Sequence, residues 1–164
     1  WFFVESAPEL STLIFAARRV NDSQPQFALE LVRKAIGDLD GKRIAALGLA
    51  FKPDVDDLRE SPAAEVVRLL QKEGAIVTAF EPYKPEGLAG ITCVPTLDEA
   101  VREADCIVLL VNHTQFTTLD PSKLAAITPS RLMIDMCNGW DRVQWQAEGF
   151  RLFRLGDGLQ TFEN

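Results

Sequence analysis

The sequence predicts an α/β protein: a Rossmann-like, doubly wound parallel sheet preceded by a long helical segment that is kinked or broken. Three observations carry this. From residue 8 to about residue 36, apolar residues recur at spacings of three and four, the period of an amphipathic helix. After Gly41 the period changes to short apolar runs that alternate with amphipathic stretches, the βαβαβ rhythm of a parallel sheet. The most apolar run, residues 106–111, has no polar face at all, as suits a central parallel strand buried on both sides.

Taken in order, Leu10, Leu13, Ile14, Ala17 and Val20 form one helical stripe, and Phe27, Leu31, Ala35 and Ile36 form another. Pro25 lies between them and cannot sit inside an unbroken helix without cost. Asn21, Asp22 and Ser23 are placed to cap the second helix with side-chain acceptors. The run Asp38-Leu39-Asp40-Gly41 closes this part, which divides the chain into a helical segment, residues 1–40, and a sheet domain, residues 41–164. Residues 43–47 read as the first strand, and 62 to about 73 as a helix with Ser61 as N-cap, Pro62 at its first position and Gly74 behind it. Residues 75–80 make the second strand and 91–94 a short strand or extended link. Thr96 caps a helix over 97–102. Asp120 and Pro121 open another helix, to about residue 127. Residues 132–135 and 150–155 supply the last two strands.

Composition narrows the function. Hydrophobic residues are 47% and charged residues 25% of 164 positions, ordinary for a globular domain with a proper core. The net charge of −7 argues against a general nucleic-acid binder, because neutralising a phosphate backbone needs a basic face. No apolar run approaches the ~20 residues of a membrane span, and the start lacks the basic region of a signal peptide. Cys93, Cys106 and Cys137 are scattered and odd in number, pointing to a reducing compartment and buried thiols.

The chemistry concentrates in the loop after the first strand, Gly48-Leu49-Ala50-Phe51-Lys52-Pro53-Asp54-Val55-Asp56-Asp57-Leu58-Arg59-Glu60-Ser61-Pro62. Ligands of open α/β sheets sit outside the carboxyl ends of the strands, where this loop lies. It is not a dinucleotide fingerprint, since that needs three glycines and only Gly48 is present. Side chains take over instead. Phe51 offers a flat apolar face and Lys52 a compact cation for a phosphate or sugar oxygen; alternatively Phe51 plugs the core and Lys52 pairs with Asp54 or Asp56. The acids Asp54, Asp56 and Asp57 lack the Gly turn and distal Glu of a calcium loop, and holding Lys52 and Arg59 in place explains them better than a metal. Glu81 ends the second strand, where such folds place a ribose-binding acid, and a plain strand-end turn explains it equally well. His113, the one histidine, follows the central strand on the ligand side; hydrogen bonding within its turn is the competing explanation. Cys137 follows the next strand and would need a base or local cation to act as a nucleophile.

The hexapeptide Gly48-Leu49-Ala50-Phe51-Lys52-Pro53 followed by Asp56-Asp57-Leu58-Arg59-Glu60-Ser61-Pro62 resembles the C-terminal domain signature of the UDP-glucose/GDP-mannose dehydrogenase family. Within it, the chain is most similar to the UDP-N-acetylmannosamine dehydrogenase branch. The resemblance implies that Phe51 and Lys52 contact a UDP-sugar substrate. It further implies that Arg59 reaches the nicotinamide of an NAD held mainly by a domain outside this chain. Glu81 stands where the family usually has Asp, and Cys137 where many members carry an arginine that touches the nucleotide. The family's catalytic cysteine lies in a segment that, in this branch, runs directly into Trp-Phe. With Trp1-Phe2 at the start and no initiator Met, the expectation is a C-terminal fragment with no catalytic residue of its own. Residues 1–40 would belong to the central helical segment on which members form homodimers. The whole enzyme would oxidise a UDP-sugar to its uronate in the cytoplasm for polysaccharide synthesis. UDP-N-acetylmannosamine is the favoured substrate, with UDP-glucose, UDP-N-acetylglucosamine and GDP-mannose still open. The competing class is a noncatalytic Rossmann-like module for nucleotide binding or assembly.

Overall fold

The computed structural model describes residues 2–157. Helices α1 (Phe2–Ser6), α2 (Thr12–Asp22) and α3 (Gln24–Ile36) come first. The sheet domain follows as β1 (Arg43–Leu47), α4 (Pro62–Lys72), β2 (Ile76–Phe80), β3 (Thr92–Cys93), α5 (Leu97–Val101), β4 (Cys106–Leu109), α6 (Thr114–Thr117), α7 (Pro121–Ile127), β5 (Leu132–Asp135), α8 (Arg142–Ala147) and β6 (Arg151–Arg154).

The six strands form one sheet in the order β3-β2-β1-β4-β5-β6, and every pairing is parallel. The chain winds outward from β1 in one direction, then returns and winds outward from β4 in the other. The switch point therefore lies between the carboxyl ends of β1 and β4, where such sheets open a crevice.

Because side chains alternate across a strand, each strand feeds two layers. Ile44, Ala46, Val108, Ile134 and Phe153 pack under α3 and α4 with Leu29, Val32, Val67 and Leu70. Ala45, Leu47, Ile107, Leu109, Met133 and Leu152 face Val101, Leu124 and Trp145 on the other side. Burial on both faces explains why residues 106–109 carry no polar side chain.

The helical segment breaks at Ser23, with Pro25 in the first turn of α3, as the sequence predicts. The side-chain cap predicted there does not form. Ser23 keeps a helical backbone, φ −84° and ψ −10°, whereas a capping residue needs an extended one. Its hydroxyl donates back to Val20 O at 2.7 Å, and Asp22 pairs with Arg18 at 2.8 Å. The apolar stripe of α2 is also unlike a core face: Leu13, Ile14 and Val20 are exposed, as is Leu10 in the turn before it.

At the other caps sequence and structure agree. Ser61, Thr96 and Asp120 accept from the N–H groups of Ala63, Glu99 and Ser122. The β4 ladder ends at Leu109, two residues earlier than the apolar run, because Leu47 O takes the N–H of both Leu110 and Val111 as the chain turns off the sheet.

Candidate functional site

The β1–α4 loop leaves the sheet through Gly48, whose φ of +88° is the left-handed region. A Cβ there would lie 2.6 Å from the Val111 Cβ, so the turn needs glycine for both conformation and space. The next two N–H groups, of Leu49 and Ala50, donate to one carboxylate oxygen of Glu81 at 2.7 and 3.0 Å. The loop then closes on itself through Phe51 N–H to Asp57 O at 2.8 Å. Ser61 ties its far end down, donating to Ala50 O at 3.3 Å while capping α4.

Within this frame Phe51 is 52% exposed, so it does not plug the core. It borders a cleft of about 310 Å³ shared with Asn21, Asp22 and Pro25 at the helix break and with Ser61 and Pro62 at the start of α4. Lys52 is exposed, is not among the residues lining that cleft, and makes no ion pair among the described residues. The sequence-based expectation that the loop acids hold Lys52 therefore does not describe this loop. Asp57 does hold Arg59, in a two-pronged pair at 2.8 Å on each arm. The Arg59 side chain is 88% exposed. The guanidinium beside it holds the Asp57 carboxyl far below the usual range.

Asp54 has a different task, one that spacing alone did not disclose. Sitting at φ +59°, it accepts from Thr114 N–H at 2.8 Å, Thr114 Oγ1 at 2.7 Å and Tyr83 Oη at 2.9 Å. The Thr114 hydroxyl and N–H, joined by Tyr83, lower its pKa against the opposing pull of desolvation. The loops after β1, β2 and β4 are thereby clasped together.

Glu81 and His113 are both fully buried. Glu81 accepts from Leu49, Ala50 and Tyr83 N–H and faces His113 Nε2 at 3.1 Å. Burial pushes its pKa up, and the bonds from His113, Leu49 and Tyr83 overcome that and hold it below the ordinary value. This geometry is a strand-end turn turned inward. His113 bonds across loops: its Nδ1 accepts from Asp54 N–H at 2.8 Å.

At the end of β5, the buried Asp135 gathers the N–H groups of Cys137, Gly139 and Trp140 at 3.0–3.1 Å and so shapes the next loop. Cys137 is partly buried in that loop. Burial, with Asp135 beside it, pushes the thiol up to about 12, the direction that weakens a thiol as a nucleophile. Asp135 was legible only as the polar end of an apolar strand.

A dinucleotide does not fit the β1 turn of this chain. The N–H groups that would approach a pyrophosphate are those of Leu49 and Ala50, and both are buried and donate to Glu81. Among the loop residues named above for cofactor contact, only the exposed Arg59 is open to one. No helix is long and apolar enough to cross a membrane among the described residues.

Comparison with known proteins agrees with this architecture. Residues 45–142 match the UDP-glucose/GDP-mannose dehydrogenase family, UDP binding domain. The UDP-N-acetyl-D-mannosamine dehydrogenase of Methanocaldococcus jannaschii is 37% identical over 161 residues, 96% of this chain and 36% of that protein. The NDP-N-acetyl-D-galactosaminuronic acid dehydrogenase of Ralstonia nicotianae is 40% identical over 144 residues, 85% of this chain and 33% of that protein. The solved structure of a UDP-D-ManNAc dehydrogenase from Pyrococcus horikoshii aligns at a TM-score of 0.80 and 28% identity, covering 94% of this chain and 36% of that one. The chain thus spans about a third of the length of the relatives it matches. With a match running from β1 to the start of α8, on a backbone shared with a solved relative, the chain belongs to the UDP-glucose/GDP-mannose dehydrogenase family.

Proposed function

We propose that this chain is the nucleotide-binding part of an NAD-dependent nucleotide-sugar 6-dehydrogenase, with a UDP-sugar, foremost UDP-N-acetylmannosamine, as substrate. The observation that carries this is Lys52. It is an exposed ammonium with no ion-pair partner among the described residues, on a loop pinned at both ends beside the sheet's switch point. The matching domain is described as UDP binding. A compact cation on a rigid loop suits the diphosphate, and the half-exposed Phe51 beside it suits an apolar ring face.

Arg59 extends toward solvent from its fork on Asp57 and is assigned to the nicotinamide cofactor, which another part of the enzyme would carry. No residue of this chain is assigned to the chemical step. The exposed apolar stripe of α2, with Leu13, Ile14 and Val20, and Leu10 just before it, is the surface on which the intact enzyme would form its homodimer. The whole would work in the cytoplasm, supplying uronate-bearing sugar nucleotides for polysaccharide synthesis.

UDP titrated into the chain by calorimetry tests the reading. Binding is expected, and Lys52→Ala should weaken it ~10-fold or more, the worth of a charge-assisted hydrogen bond. Unchanged affinity removes Lys52 from the site. A noncatalytic module would bind nucleotide yet leave the whole protein unable to reduce NAD with any UDP-sugar.

A further inference from the structure

Two buried side chains, Glu81 and His113, meet the candidate loop from behind, and the binding role proposed for Phe51 and Lys52 uses neither. Glu81 comes from the end of β2 and His113 from the turn after β4. The His113 ring lies against the Tyr83 ring at 5.0 Å and the Phe116 ring at 5.5 Å. The charged groups facing it are Glu81, 3.1 Å from Nε2, and Asp54, whose nearer carboxylate oxygen is 3.7 Å from Nδ1.

The partners fix the ring's tautomer. A backbone N–H can only donate, so the 2.8 Å contact from Asp54 N makes Nδ1 the acceptor. The proton then sits on Nε2, where it is donated to the Glu81 carboxylate. That same carboxylate oxygen takes the Leu49 and Ala50 N–H groups. One buried pair therefore holds the loop on both sides of the exposed dipeptide: Glu81 at residues 49 and 50, His113 at residue 54. Between these anchors lie only Phe51, Lys52 and Pro53.

We infer that His113, oriented by Glu81, is a positioning residue of the nucleotide site: its bare Nδ1 fixes the Asp54 backbone and so sets the geometry in which Phe51 and Lys52 are presented. This rests on the reading that the loop binds the UDP moiety. It assigns the single histidine a part in binding without contact to the ligand. A charged lysine held on a fixed backbone loses less freedom on binding than one on a mobile loop, so the anchor contributes affinity through preorganisation.

The test uses the full chain and UDP as the probe. His113→Phe keeps a ring against Tyr83 and Phe116 but accepts nothing from Asp54. It should weaken UDP binding about tenfold and speed hydrogen exchange at the Asp54 amide. His113→Gln, with an amide oxygen to accept and an NH2 to donate, should restore most of both, which a general loss of packing would not do. A folded His113→Phe chain with wild-type UDP affinity overturns the proposal. Should that variant not fold, the ¹⁵N spectrum of the one imidazole in the wild-type chain decides: a proton on Nε2 with bare Nδ1 supports the assignment, and a proton on Nδ1 overturns it. A wild-type chain that ignores UDP sinks the substrate reading alone, and the Asp54 amide, compared between wild type and His113→Phe, still decides whether His113 fixes the loop.

Discussion

Cys137 shows how burial can settle a residue's chemistry. Its position after β5 invites a functional role, while desolvation and the neighbouring Asp135 raise the thiol pKa and so favour the protonated form. Alkylation by iodoacetamide at about pH 8, near the ordinary thiol pKa of ~8.5, should modify Cys137 far more slowly than it does a model thiol, read by mass spectrometry of the Cys137 peptide after digestion, which separates it from Cys93 and Cys106. Fast modification would mean that the loop after β5 opens in solution. Residue identity alone had limited reach here. Arg59 and Asp57, two positions apart, were legible as a pair. The three loop acids looked alike in sequence, yet Asp57 holds a guanidinium while Asp54 clasps Thr114 and Tyr83, which are 60 and 29 positions away. Contacts over such separations are set by topology and leave no local trace.

At the scale of elements, strands and long helices were legible because their apolar periods are strong. Residues 43–47, 121–127 and 132–135 fall where the pattern placed them. What escaped were the short helices α1, α6 and α8, of five, four and six residues. One turn gives no periodicity to read; α8 is held by its Asp141 cap and by one buried tryptophan, Trp145. The α2 stripe misled in another way. Its period is helical, but nothing within the described chain covers it, so its signal concerns an outer surface. The β1–α4 connection is the element most sensitive to change. Gly48→Ala combines a positive φ with a 2.6 Å approach to Val111, and strain plus overpacking should lower stability by about 2–4 kcal/mol in urea unfolding. A loss under ~0.5 kcal/mol would show that β4 yields easily at this end.

Over the molecule as a whole, acid should act first where carboxylates do structural work. Glu81 is held below its ordinary pKa in the fold. Its stabilising contribution is therefore complete above the unfolded value, ~4.3, and is lost as pH falls through the depressed folded value. Urea midpoints measured from neutral pH downward should hold steady and then decline below that point. Glu81→Gln, which cannot titrate, should show a shallower decline from a lower starting stability. An identical slope in both would assign the acid transition to other groups. The same side chain has a wider bearing. An anion tethered to β2 already occupies the amides at the mouth of β1. A dinucleotide-shaped molecule would have to evict a covalently attached competitor before reaching them. The tether gives that competitor a fixed, high effective concentration, which any such molecule must exceed at the same amides.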